Sequence, residues 1–198
     1  MEVILIIGNQ NSLTFIINLL LLMQNQIRIK YILQANELRN YRIECKDILI
    51  TDVIDVYKRY RKNCIFVDLD KIEESSDYKE KIERDIKEHN QNNIIIKDML
   101  NLGFNFKYMG TKYIEEIIKY LVNSKDRNMM MNLEKNVYIN LAKKYNTSIN
   151  NIKVNMSKAT DIAYTVQKES IIQNYFKTSV KMTPKMVITT IINKNNLL

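Results

Sequence analysis

The chain has 198 residues, enough for one large domain or two small ones, and carries 30 Lys+Arg against 22 Asp+Glu, a net charge of +8. The charge is uneven: residues 1–100 hold 15 basic and 16 acidic side chains, net −1, and residues 101–198 hold 15 and 6, net +9. An A+T-rich codon bias would raise Lys, Asn and Ile throughout, so a basic half beside a neutral one reads instead as a nucleic-acid-binding domain joined to something else, a membrane surface being the other partner such charge admits. Cys45 and Cys64 have no zinc-site spacing and read as free buried thiols. His89 is the lone histidine, so a Ser–His or Cys–His pair would rest on it alone, and no enzyme is expected. No secretory signal follows Met1-Glu2-Val3, which points to the cytoplasm. The longest apolar run, Leu13 to Met23 broken by Thr14 and Asn18, is about half of the ~20 residues a membrane span needs and reads as a buried helix; no membrane partner is expected.

The first half alternates short apolar runs with helical patterns, the signature of a parallel sheet covered on both faces. Strands are expected at Val3–Ile7, Ile27–Leu33, Asp47–Thr51, Cys64–Val67 and Ile94–Ile96, with helices at 12–24, 35–42, 53–62 and 77–90. The expected fold is a five-stranded, flavodoxin-like α/β domain over residues 1–98, its crevice at the strand ends Gly8-Asn9, Asp52, Asp68 and Lys97. The three glycines, Gly8, Gly103 and Gly110, are not at Rossmann or P-loop spacing, which argues against a nucleotide, and no cofactor or metal is implied. From residue 99 onward the pattern is helical only, at 111–123, 132–145, 149–164, 169–177 and 185–194, an all-α second domain over 99–198. Pro184 stands where the last helix should start, and the tail KNNLL is expected to fray.

Within the basic half, LAKKYNTSINNIKVNMSKATDIAY (141–164) reads as helix, tight turn, helix. Asn146 suits the left-handed conformation that stops the first helix, and Ser148 can cap the second. Ile152, Met156, Ala159 and Ala163 share one face of that second helix, the core face. Asn150, Asn151, Lys153, Val154, Asn155, Ser157 and Lys158 are left for the outer side, where a helix-turn-helix reads DNA. An ordinary helical hairpin gives the same pattern.

The segments LGFNFKYMGTKYIEEIIKYL and INLAKKYNTSINNIKVNMSKATDIAY, with the lone proline before the final helix, cover nearly all of 101–194. They resemble the DNA-binding effector domain of the master response regulator of sporulation, the stage-zero regulator family of endospore-forming bacteria. AKKYNTS and the pair Ala163-Tyr164, where the family tends to have Ala-Trp, are the most specific parts. The resemblance implies arginine where this chain has Asn151, Val154 and Ser157, glutamate at Lys153 and histidine at Lys158. Neither Val nor Ser can clamp a guanine edge as arginine does, for ~1–3 kcal/mol of discrimination, so the family's base preference is not expected to carry over. Asn151 and Asn155 could bond adenine, and Lys153 and Lys158 could hold phosphates.

The first half is similar, more distantly, to that family's receiver domain. The alignment puts Gly8-Asn9 at the acidic pair, Asp52 at the phosphoacceptor, Asp68 at the hydroxyl residue, Lys97 at the lysine and Asp98 at the usual proline. Phosphoryl transfer to Asp needs Mg²⁺ held by carboxylates, and Gly8 supplies none, so a receiver without a phosphorylation switch is expected, with Asp52 and Lys97 as a remnant ion pair. These readings imply a transcription regulator that binds double-stranded DNA as a homodimer. The alternative is a non-DNA-binding paralogue that modulates a sporulation regulator, a kinase or their phosphorelay by protein contact.

Overall fold

A computed structural model describes residues 2–23, 28–41, 43, 47–61, 64–68, 71, 76–124, 132–177 and 181–197. The chain divides into two compact units, residues 1–91 and 92–198. The first holds β1 (Glu2–Ile6), α1 (Gln10–Leu22), β2 (Arg28–Leu33), β3 (Ile48–Thr51), α2 (Ile54–Tyr60) and β4 (Cys64–Phe66). The strands pair in parallel in the order β2-β1-β3-β4.

The central strands β1 and β3 are apolar without alternation because both faces are covered. Val3, Leu5, Ile48 and Ile50 pack with Ile16, Leu19 and Leu20 of α1, while Ile4, Ile6 and Leu49 pack with Leu38 and Val56. One face of the apolar run in α1 is thus buried, but Leu21 and Leu22 at its end are exposed. Cys64 is a free, buried thiol, and burial pushes its pKa up to about 12; Cys45 lies outside the described residues.

Two expectations for this unit are corrected. The sheet has four strands among the described residues, since Ile94–Ile96 belongs to α3 (Ser76–Asn101). Three β-branched residues in a row imitate a strand, but Ile82, Ile86, Ile95 and Met99 recur at helical spacing and all are buried. The division between the units falls within α3, whose Ile82 and Ile86 join the first core and whose Ile95 and Met99 join the second. The helix expected at 35–42 is only a 3₁₀ turn, Glu37–Asn40, and β2 keeps Ile29, Tyr31 and Ile32 exposed at the sheet edge.

The second unit is helical: the end of α3, then α4 (Met109–Ser124), α5 (Ile139–Lys144), α6 (Ile149–Val166), α7 (Glu169–Phe176) and α8 (Pro184–Lys194). The helix expected over 132–145 runs without a break from 133 to 144, its first part a wide π-type turn at Glu134–Tyr138 that continues into α5. Gly103, at φ +86, ends α3 in the left-handed conformation, with Phe104 N–H donating to the Met99 carbonyl at 3.0 Å. Thr183 caps α8 by accepting from Met186 N–H, and Pro184 fills the first turn, where its missing donor costs nothing.

Of the tail expected to fray, Lys194 to Leu197 are held in place, and Leu198 lies outside the described residues. Lys194 Nζ and Asn195 Nδ2 donate to the Asp98 carboxylate at 2.9 and 2.7 Å, Tyr175 Oη donates to it at 2.7 Å, and Leu197 is buried. One carboxylate therefore ties α3, α7 and the end of α8 together. Burial alone would raise the Asp98 pKa, but the donors from Asn195, Lys194 and Tyr175 outweigh it and hold the carboxyl below its usual range.

Candidate nucleic-acid interface

Helix α5 stops at Lys144, and Asn146 takes the left-handed conformation at φ 47, so that Thr147 N–H reaches back to the Ala142 carbonyl at 2.9 Å. Ser148 then caps α6, its Oγ accepting from Asn151 N–H at 3.1 Å. Tyr145 anchors the turn from below. Its hydroxyl donates to Glu116 of α4 at 2.5 Å, its ring meets Tyr113 edge-on at 5.0 Å, and Lys144 reaches the same Glu116 at 2.8 Å. Burial, with the bond to Glu116 next, pushes the Tyr145 phenol up to about 12, so it stays protonated as the donor.

The core face of α6 is the one read from spacing: Ile152, Met156, Ala159 and Ala163 are all buried, with Thr160 beside them. At Gly110 the first turn of α4 crosses this helix so closely that a Cβ there would lie 1.9 Å from the Asn155 carbonyl oxygen. Only glycine permits that approach.

The seven candidate residues of α6 do not share one environment. At about 100° per residue, Asn150, Val154, Ser157 and Lys158 lie opposite the core face, and all four are exposed. Lys153 lies on one flank and is paired with Glu134 of the π turn at 2.5 Å. Asn151 and Asn155 lie toward the other flank. Asn155 Nδ2 is turned back on the Asn151 carbonyl at 2.8 Å, and Asn151 Nδ2 points to Thr147 Oγ1 at 3.4 Å. Further along, Asp161 is paired with Lys181 at 2.8 Å. Sequence spacing could not reveal Glu134 or Thr147 as neighbours of this face. Gly110 stands just ahead of the helix expected at 111–123, and the pattern gave no sign that it belongs to a helix crossing.

In the first unit, the strand ends bring Gly8, Asn9 and Asp52 together. Asp52 accepts Gly8 N–H at 2.6 Å and Asn9 N–H at 3.0 Å, one on each carboxylate oxygen. Thr51 positions it by donating to the Ile6 carbonyl at 2.7 Å and accepting from Val53 N–H at 3.0 Å. Asn9 spends its side-chain oxygen as the cap of α1, on Asn11 N–H at 2.8 Å. The end of β4 carries Asp68, whose N–H meets the Tyr78 hydroxyl at 2.6 Å and whose carboxylate lies 3.4 Å from Lys71. Lys97 is not at a strand end, because the fifth strand is helix; it is an exposed residue of α3 in the second unit. Asp52 is held by its two backbone donors, and the strand end expected to carry Lys97 is helix. Among the described residues, no group of three or more His, Cys, Asp or Glu is placed to hold a metal ion.

The family model described as "Sporulation initiation factor Spo0A C terminal" matches residues 95–194, half of the chain. The chain belongs to the Spo0A family. Its basic half is therefore the DNA-binding domain of a sporulation regulator, and that family is not one of enzymes. No curated protein matches the chain. The Spo0A-type match spans the end of α3 through the last residue of α8, so it covers the turn, α6, and Asp98 with its donors Tyr175 and Lys194. No helix among the described residues is long and apolar enough to cross a membrane.

Proposed function

We propose that this Spo0A-family chain is a transcription regulator whose α5–turn–α6 segment acts as a helix-turn-helix on double-stranded DNA, with a base preference different from that of its relatives. The observation that carries the reading is the outer face of α6: a Ser148-capped helix, buried on one side, that exposes Asn150, Val154, Ser157 and Lys158 on the other. Lys158 has no hydrogen-bond or ion-pair partner among the described residues and is the charge most ready for a phosphate. Val154 offers only apolar contact, of the kind that meets a thymine methyl. The first unit is a degenerate receiver that is not phosphorylated, since Asp52 already has a backbone donor on each oxygen and Gly8-Asn9 brings no carboxylate for Mg²⁺. It serves association, and a homodimer would present two copies of α6 to two half-sites about one DNA turn apart.

A second reading has its own support. Lys153, Asn151 and Asn155 are engaged within the protein. A chain whose reading residues are so occupied could act instead by contact with another sporulation regulator or a kinase. Binding of the whole chain to a pool of genomic DNA fragments at two salt concentrations separates the two. The regulator reading requires recovery of a shared motif, and Lys158→Ala should weaken binding about 3–10-fold with a salt slope shallower by about one. Absence of binding, together with retention of a partner protein, would select the second reading.

A further inference from the structure

We infer that Glu134 is an affinity-limiting residue of the DNA interface, an internal stand-in for phosphate that holds Lys153 until DNA displaces it. The inference rests on the DNA-binding reading of α6. Glu134 opens the π turn, and that turn is pinned in the core by Leu133, Val137 and Tyr138, all buried. Its backbone is therefore held in place, and its carboxylate meets Lys153 Nζ at 2.5 Å. Both residues line a cavity of about 420 Å³ that also takes in Met156 and Ser157 of α6 and Pro184 and Lys185 at the start of α8. Lys153 thus leans from the flank of α6 toward this cavity, away from the exposed line of Val154 and Lys158.

The two side chains are half exposed, 58% for Glu134 and 41% for Lys153, so the pair is screened and can open at small cost. A DNA phosphodiester offers Lys153 the same single negative charge as the carboxylate. The exchange has an electrostatic consequence, because the released Glu134 then stands beside the polyanion. Lys153 and Lys158 are accordingly unequal: Lys158 binds phosphate outright, whereas Lys153 must first give up Glu134. This arrangement lowers the affinity of every site at which Lys153 could meet a phosphate.

A double-mutant cycle tests this with the whole chain, using the fragment it binds best and a scrambled fragment, at two salt concentrations. Glu134→Gln should tighten binding about 3–10-fold on the preferred fragment and no more than that on the scrambled one, with the salt dependence steeper by up to one phosphate contact. In a Lys153→Ala background the same change should gain clearly less, because only the repulsion between Glu134 and the DNA is then relieved. Glu169→Gln, on α7, controls for net charge, and melting temperatures confirm that each variant folds. An equal gain in both backgrounds, or a gain matched by Glu169→Gln, would reduce Glu134 to a bulk charge and overturn the inference. If the unmodified chain binds DNA and Glu134→Gln changes nothing, the inference alone falls. Should the unmodified chain bind no DNA, the DNA-binding reading falls and the inference with it.

Discussion

Gly110→Ala puts a single methyl group where α4 crosses α6. The added carbon would lie 1.9 Å from the Asn155 carbonyl oxygen, 2.4 Å from its carbon and 2.9 Å from the Ala159 Cβ. Ordinary contact begins near 3.4 Å, so the helices must part by about 1.5 Å at this point. The obstructing atoms are backbone, and no rotamer change relieves them. Alanine gains up to ~1 kcal/mol in helix propensity, less in a first turn, whereas overpacking a close-packed crossing costs ~1–3 kcal/mol and more when backbone must move. The parting would also strip contacts from Ile114, Ile117, Ile152 and Met156, which share one core. A net loss of about 2–3 kcal/mol follows, or roughly 10 °C in the melting temperature of a unit of about 100 residues. Thermal and urea unfolding of the whole chain, followed by circular dichroism at 222 nm, measures it. Ala159→Gly should not rescue the variant, because the worst contact is with a carbonyl oxygen rather than with Ala159. A Gly110→Ala protein that melts at or above the temperature of the unmodified chain would refute the close crossing.

Asp98→Asn should cost about 2–3 kcal/mol at pH 7, since three donors lose a buried carboxylate while the half-exposed Lys194 is partly rehydrated. The folded pKa of Asp98 lies below its unfolded value near 3.9, so this contribution is present above that value and fades as pH falls through the lowered one. Urea titrations of both proteins should therefore converge as pH drops from 5 toward 2, and a gap independent of pH would contradict the ionic account. Ser148→Ala removes the acceptor for Asn151 N–H and should destabilise by ~1 kcal/mol, measured by urea unfolding, with Ser148→Thr close to neutral. Cys64, with its thiol pushed up to about 12, should resist iodoacetamide at pH 8 in the native protein and react in urea; peptide mapping that finds it alkylated without denaturant would show the site to be open.

The amino-acid pattern alone determined most of the second unit. The 3.6-residue recurrence of Ile152, Met156, Ala159 and Ala163, the stop at Asn146, the cap at Ser148 and the proline at the head of α8 are local effects, each decided by a few neighbouring residues, and each appears in the structure where the pattern placed it. The asymmetry of charge is likewise a property of the chain itself. Local pattern failed at Ile94–Ile96, because three β-branched residues suit a strand or a buried helix equally, and only the packing of Ile95 and Met99 in the helical core decides between them. It failed again at the tail, where the partner that orders Lys194 and Asn195 is Asp98, nearly a hundred residues earlier in the chain. The same holds for the interface. Sequence spacing assembled the outer side of α6, but it could not say that Lys153 is already paired while Lys158 has no partner among the described residues, nor that Gly110 brings α4 against the Asn155 carbonyl. Those facts depend on the approach of segments remote in sequence, and only the tertiary structure brings them together.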